Sequence, residues 1–162
     1  MEFDRDVNKI YPLRVKYSTI RELEEHLMLV YTKSDHDSGN IQKQNVKLLT
    51  KDKVDKLKEL SEKVKQEILN EDNRNIGVYM SASWAISKNK ANSNKALEKL
   101  HFTGVKCGAW GGKLLGAGQG RYMLFYIDPK KRNDFRTKIN ESGYECMDFN
   151  FTRNGVETWK LK

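Results

Sequence analysis

The sequence predicts an α+β fold, with a mainly antiparallel sheet of four to five strands and helices packed on one side. Three observations point there. Val54, Leu57, Leu60, Val64 and Ile68 recur at spacings of three and four, which puts one apolar stripe on a helix over 51–69. "YMLFYI", from Tyr122 to Ile127, is a continuous apolar run, as in a central strand covered on both faces. "YECMDFNF" alternates, with Met147, Phe149 and Phe151 on one face, and Asn154-Gly155 then offers the favoured two-residue hairpin turn.

The other elements follow in order. The opening segment has apolar Ile10, Leu13 and Val15 but no complete unit. Thr19 and Glu22 have capping-box spacing, followed by a short helix with Ile20, Leu23 and Leu27 on one face. "HLMLVYT", His26 to Thr32, reads as a buried strand. "KSDHDSGN", Lys33 to Asn40, is a polar loop. Residues 41–49 are weakly helical. Beyond the long helix, Ile76, Met80 and Trp84 share one side of a helix over 76–88. Ser93 is placed to cap a short helix carrying Leu97 and Leu100, which His101 ends. A strand over 112–116 precedes "YMLFYI". Asp128-Pro129 starts a helix with Phe135 and Ile139 inside, and Gly143 ends it. A strand over 144–151 and a returning strand over 156–161 complete the sheet.

Length and composition narrow the function. The 162 residues suit one domain, and no stretch approaches the apolar length of a membrane span. The charged start "MEFDRDVNKI" is not a signal segment, so a cytoplasmic protein with reduced thiols is expected. Cys107 and Cys146 form no C-x-x-C pair and the three histidines are scattered, which argues against a zinc site. Both cysteines read as small buried hydrophobes, and Trp84 and Trp110 as core or cleft-wall residues. The net charge of +8 suits anionic partners. The lysines, however, mix with Glu and Asp on helices and make no basic block with interleaved aromatics, so nucleic acid is not an expected partner.

Chemistry concentrates in "GGKLLGAGQGRYMLFY". Four glycines lie within 111–118, and Gly120 follows. Glycines admit positive φ and let backbone N–H groups approach a phosphate, with Lys113 as a nearby charge. On spacing alone, an anion-cradling loop and a tight turn between strands are both open. The Gly-Lys-Ser/Thr of a Walker loop is missing. A strand rather than a helix follows, so this is not a dinucleotide fingerprint either.

"GAWGGKLLGAGQGRYMLFY" resembles the third motif of the GHMP superfamily of kinases, which includes galactokinase, homoserine kinase, mevalonate kinase and phosphomevalonate kinase. Within it the stretch is most like that of bacterial heptose 7-phosphate kinase-type sugar kinases. "YPLRVKYSTIRELEEHLMLVYT", "SGNIQKQ" and "SASWAISKNK" are similar to further segments of that branch, in the same order. Gln119 and Arg121 interrupt the family's glycine run, and His36 stands where the family usually carries arginine.

The resemblance implies the C-terminal domain of an ATP-dependent sugar or sugar-phosphate kinase, with ferredoxin-like elements. Gly112, Lys113, Gly116, Ala117, Gly118, Gly120 and Arg121 would then line the phosphoryl-transfer cleft, and His36 and Ser38 would sit near the sugar. ATP and magnesium would be held through the family's N-terminal half, whose Pro-x-x-x-Gly-Leu-Gly-Ser-Ser-type loop has no counterpart in residues 1–110. The expectation is therefore a single domain over 1–162 without the ATP-binding domain, inactive alone and with no catalytic or metal-ligating residue of its own. Its expected partners are a chain supplying that half, or a second copy. The alternative is a non-catalytic module that binds a metabolite or a protein.

Overall fold

The apolar run Tyr122–Ile127 forms the strand around which the molecule is built. A computed structural model describes residues 2–3, 7–33, 48–89, 92–116, 120–152 and 155–160. The elements are β1 (Glu2–Phe3), β2 (Asn8–Lys9), α1 (Tyr17–His26), β3 (Leu27–Tyr31), α2 (Lys51–Leu69), α3 (Ile76–Ser87), α4 (Lys95–Lys106), β4 (Ala109–Leu114), β5 (Tyr122–Ile127), α5 (Arg132–Glu141) and β6 (Glu145–Met147). β1 and β2 pair with each other alone. The main sheet is four-stranded and antiparallel throughout, in the order β4-β5-β3-β6.

Successive side chains of β5 face opposite ways, and both sides are covered. Met123, Phe125 and Ile127 are fully buried with Met28 and Val30 of β3, Leu97 and Leu100 of α4, and Phe135 and Ile139 of α5. α4 and α5 thus supply the helical layer the sequence predicts. Each such side chain contributes roughly 1.5–3 kcal/mol. Tyr126 faces the other way, into a smaller cluster with Leu27 and with Ile76 and Met80 of α3; Leu23, Ile68, Leu124 and Phe149 pack against it.

α3 lies along the outer edge of β4. Gly77 faces Gly111 so closely that an added Cβ at Gly111 would fall on the Gly77 carbonyl oxygen. The Gly112 N–H, on the side away from β5, donates to Ser81 Oγ at 3.0 Å. The helix therefore satisfies and covers an edge that would otherwise invite another strand.

Several helix starts differ from expectation. α1 begins at Tyr17 with Lys16 at its N-cap and no capping side chain. Thr19 sits inside the first turn, 2 % exposed, so the capping box is not used. α4 is capped by Asn94, which accepts from the Leu97 N–H at 3.0 Å, while the Ser93 hydroxyl turns to Glu98. His101 lies in the middle of α4 rather than at its end. Asp128 caps as expected, accepting from the Lys130 N–H at 3.0 Å. A 3-10 turn over Pro129–Lys131 precedes α5. The weak helical pattern at 41–47 and the Asn154 turn position lie outside the described residues.

The strand predicted over 144–151 pairs only at Glu145–Met147. At Asp148 the chain is taken by α5: Arg132 and Arg136 both donate to its carboxylate at 2.6 Å, and together they hold its carboxyl below the usual carboxylate range. Arg132 also donates to the carbonyls of Glu25 and Leu27. The Phe151 N–H then goes to Glu24 Oε1 at 2.7 Å instead of to a ladder. Residues 155–160 form no strand, which corrects the predicted returning strand. Cys146 is buried as a small hydrophobe, and burial pushes its thiol up to about 11.

Candidate functional site

The glycine stretch spans the end of β4 and the turn into β5. Gly112 lies opposite Phe125, Lys113 opposite Leu124 and Leu114 opposite Met123. The hairpin continues one step past the strand, where the Leu115 N–H donates to the Tyr122 carbonyl at 3.0 Å. Gly116 follows with φ +81° and open space where a Cβ would stand. That conformation favours glycine, so this residue serves the turn rather than packing.

Thr32, one residue past β3, ties this turn to the neighbouring strand. Its N–H donates to the Arg121 carbonyl and its hydroxyl to the Gly120 carbonyl, both at 2.8 Å. Thr32 is itself buried. Arg121 is exposed at the root of β5. The loop that leaves β3 therefore starts from the same end of the sheet as the glycine turn.

Among the predicted site residues, Gly112, Lys113, Gly116, Gly120 and Arg121 come together on this one hairpin. His36, Ser38, Ala117 and Gly118 lie outside the described residues. The register places Lys113 on the sheet face shared by Leu124 and Tyr126. The side chain is half-buried, and burial pushes its amine below the usual lysine range. On that face the rings of Tyr31 and Tyr122 meet with centroids 5.6 Å apart.

Behind the strand stands a polar contact that sequence reading missed. Ser81 Oγ accepts from the Gly112 N–H and lies 3.1 Å from His101 Nε2. The His101 ring packs beside Trp84, with Phe125 farther off. Burial lowers the His101 pKa, against the opposing effect of the Gly112 backbone, and Lys88 adds to the lowering. Ser81 Oγ also lies 3.4 Å from the Gly112 carbonyl, so the hydroxyl links the backbone of Gly112 to the His101 ring. The signal was present in Gly77 and Ser81: two small residues four apart on one helical face permit a close approach. Thr32 had no comparable signal.

The His101 shift carries an expected result. Because the folded state disfavours the charged ring, the unfolded chain binds the proton first, beginning near pH 6.5. Stability from this group is complete above that pH and is lost as pH falls toward the lowered folded value. The urea midpoint of the wild type should fall between about pH 7 and pH 5, and a His101→Gln variant should fall less. Parallel curves would reject the assignment.

Among the described residues, no group of three His, Cys, Asp or Glu could hold a metal, and no helix is long and apolar enough to cross a membrane. Among the described residues, what the hairpin offers is Gly116 in a glycine-type conformation with open space beside it and the half-buried amine of Lys113, a set suited to an anion.

Comparison with known proteins relates this antiparallel sheet to a known fold. No protein-family model matches the chain. The chain is 31 % identical over 169 aligned positions to D-glycero-alpha-D-manno-heptose 7-phosphate kinase of Campylobacter jejuni, covering 99 % of this chain and 50 % of that protein. A heptose 1-phosphate kinase from Bacteroides thetaiotaomicron superposes with TM-score 0.67 at 19 % identity, over 97 % of this chain and 42 % of that one. A mevalonate kinase from L. major does so with TM-score 0.61 at 20 % identity, over 71 % and 37 %. The chain is a homologue of one half of a heptose 7-phosphate kinase and carries the fold of the GHMP kinases. It spans about half the length of the curated relative it matches.

Proposed function

We infer that the chain acts as the C-terminal half of an ATP-dependent sugar or sugar-phosphate kinase, heptose phosphate being the substrate class the relatives suggest. The observation that carries this is the double attachment of Thr32 to Gly120 and Arg121, which brings the point where the chain leaves β3 beside the glycine turn. In this reading the loop with His36 and Ser38 meets the sugar. The Gly116 to Gly120 turn, with Ala117 and Gly118, offers backbone N–H groups to the transferred phosphate, and Gly112 lines the cleft while its own N–H is held by Ser81. Lys113 adds charge from the sheet face, and Arg121 stands at the mouth of the turn.

ATP and magnesium fit this picture as ligands shared with another half. The open turn suits a phosphate, and the residues that would touch it here are Gly116, Gly120 and Lys113. The bound metal would neutralise charge on the phosphates. This chain's own part is to hold and orient the phosphoryl acceptor, and the cytoplasm, where ATP is available, is the proposed location.

Titration of the isotopically labelled chain with D-glycero-D-manno-heptose 7-phosphate tests the reading. The amide resonances of Lys113, Gly116, Gly120 and Arg121 should move, with a Kd of about 1 mM or tighter. Resonances that stay fixed at saturating ligand, or that move only on α2, would overturn it.

A further inference from the structure

The turn between α2 and α3 carries an unanswered polar side chain. Asn73 is 4 % exposed, and neither the oxygen nor the nitrogen of its amide has a hydrogen-bond partner among the described residues. A buried amide left this way is rare, because both atoms have given up water without return. Its neighbours in the turn are engaged. Lys16 pairs with Glu71 at 2.8 Å, Arg74 holds Asp72 through two bonds of 2.7 Å, and Glu67 accepts from both the backbone and the side chain of Asn75. The turn is thus fixed around Asn73 without using its amide.

Asn73 lines a cavity of about 240 Å³ with Glu22, His26 and Trp110. The cavity lies at the end of the sheet away from the glycine turn. His26 leads into β3, and Trp110 follows Ala109, which pairs with Ile127 at the end of β5. One wall is aromatic. The His26 ring stacks on Tyr126 with centroids 4.6 Å apart, and the Trp110 ring stands 5.4 Å from His26. Trp110 is 40 % exposed, so part of it is open to a ligand. His26 Nδ1 lies 2.7 Å from the Ile127 carbonyl, which only accepts, so Nδ1 carries the hydrogen and Nε2 is the ring atom left for a ligand. The Tyr126 hydroxyl is buried without a partner as well. Burial pushes it above the usual tyrosine range, and the Glu22 and Glu67 carboxylates add to the shift.

Three properties select the occupant. The space is smaller than a pocket for a drug-sized ligand and takes a single ring system. The Asn73 amide presents an acceptor and a donor side by side, and their complement is the N6/N7 edge of adenine; guanine offers two acceptors there and leaves the Asn73 oxygen unanswered. Aromatic side chains stack on bases. Glu22, Glu71 and Asp72 line the cavity against Arg74 and the nearby Lys16, which leaves a carboxylate in excess. That carboxylate accepts from ribose hydroxyls and repels phosphate. We propose that this cavity binds an adenine nucleoside, its base against Trp110 and its donor–acceptor edge on Asn73. The proposal does not depend on the kinase reading.

Titration of the isotopically labelled chain with adenosine tests it. The Asn73 and Arg74 amides and the Trp110 indole N–H should move, with a Kd of about 1 mM or tighter, while Gly116 and Gly120 stay fixed. Guanosine should bind at least about tenfold more weakly, and ATP more weakly than adenosine. Asn73→Leu should cut affinity at least about tenfold without lowering the melting temperature, since it removes two unpaired buried atoms at similar volume. Trp110→Ser, which answers the question even if the first variant does not fold, should weaken binding at least about fivefold. No movement at the solubility limit of adenosine overturns the proposal, and so does movement confined to the glycine turn. Guanosine or ATP binding as tightly as adenosine, or variants that bind like the wild type, would also overturn it.

Discussion

Replacing Gly111 with alanine is expected to cost about 3 kcal/mol of folding stability. The added methyl would land on the Gly77 carbonyl oxygen and lie 2.7 Å from Ser81 Oγ. Backbone cannot rotate out of the way as a side chain can. Relief requires α3 to move off the edge of β4, and α3 carries Trp84 into one core cluster and Ile76 and Met80 into the other. The same shift would break the Gly112 to Ser81 hydrogen bond. Gly116→Ala is the comparison. Its Cβ meets nothing, so only the left-handed φ costs, about 1–2 kcal/mol. Urea denaturation of both variants separates the two: a Gly111→Ala loss under about 1 kcal/mol would mean that the helix is not held against the strand as described.

The isolated chain is expected to show no sugar-dependent ATP turnover, at least about a thousandfold below the rates of about 1 to 100 per second typical of kinases. Phosphoryl transfer relies on positioning the nucleotide and on neutralising charge over its phosphates. In the proposed reading this chain supplies one backbone turn and the half-buried Lys113, with the sugar-facing loop. Those groups orient an acceptor, and the donor must be cradled elsewhere. A coupled assay of ADP release with heptose 7-phosphate measures this. Turnover by the pure chain at an ordinary kinase rate would sink the division of labour proposed here.

Local pattern was sufficient where one element buries one face by itself. The 51–69 helix matches the structure because its apolar stripe alone fixes its length, and Thr50 caps it by accepting from the Lys53 N–H. "YMLFYI" is central because a run with no polar face needs cover on both sides, and it has two clusters. α5 follows Asp128-Pro129 because the cap and the fixed proline φ act within a few residues. The glycine hairpin was legible for the same reason, as a turn between strands near 112–116 and 121–127.

What failed did so where a distant partner competes. Thr19 has capping spacing, yet its side chain is buried and the helix starts earlier. "YECMDFNF" alternates like a strand, yet Arg132 and Arg136 draw Asp148 away after three paired residues. Three charge-assisted hydrogen bonds from two arginines to that carboxylate outweigh further ladder bonds. The His101 contact with Ser81 joins residues twenty apart in sequence, and Thr32 reaches Gly120 across 88 positions.

By itself the sequence determined the α+β class, the long helix, the central strand and the glycine turn, together with the kinase likeness that the turn carries. These rest on periodicity, on backbone conformations open to glycine and proline, and on interactions that close within one or two turns of chain. Only the tertiary structure decided that Thr32 fastens the glycine turn to the end of β3 and that α3 seals the edge of β4. Each depends on which strands become neighbours, and that is set by burying two faces of one sheet at once.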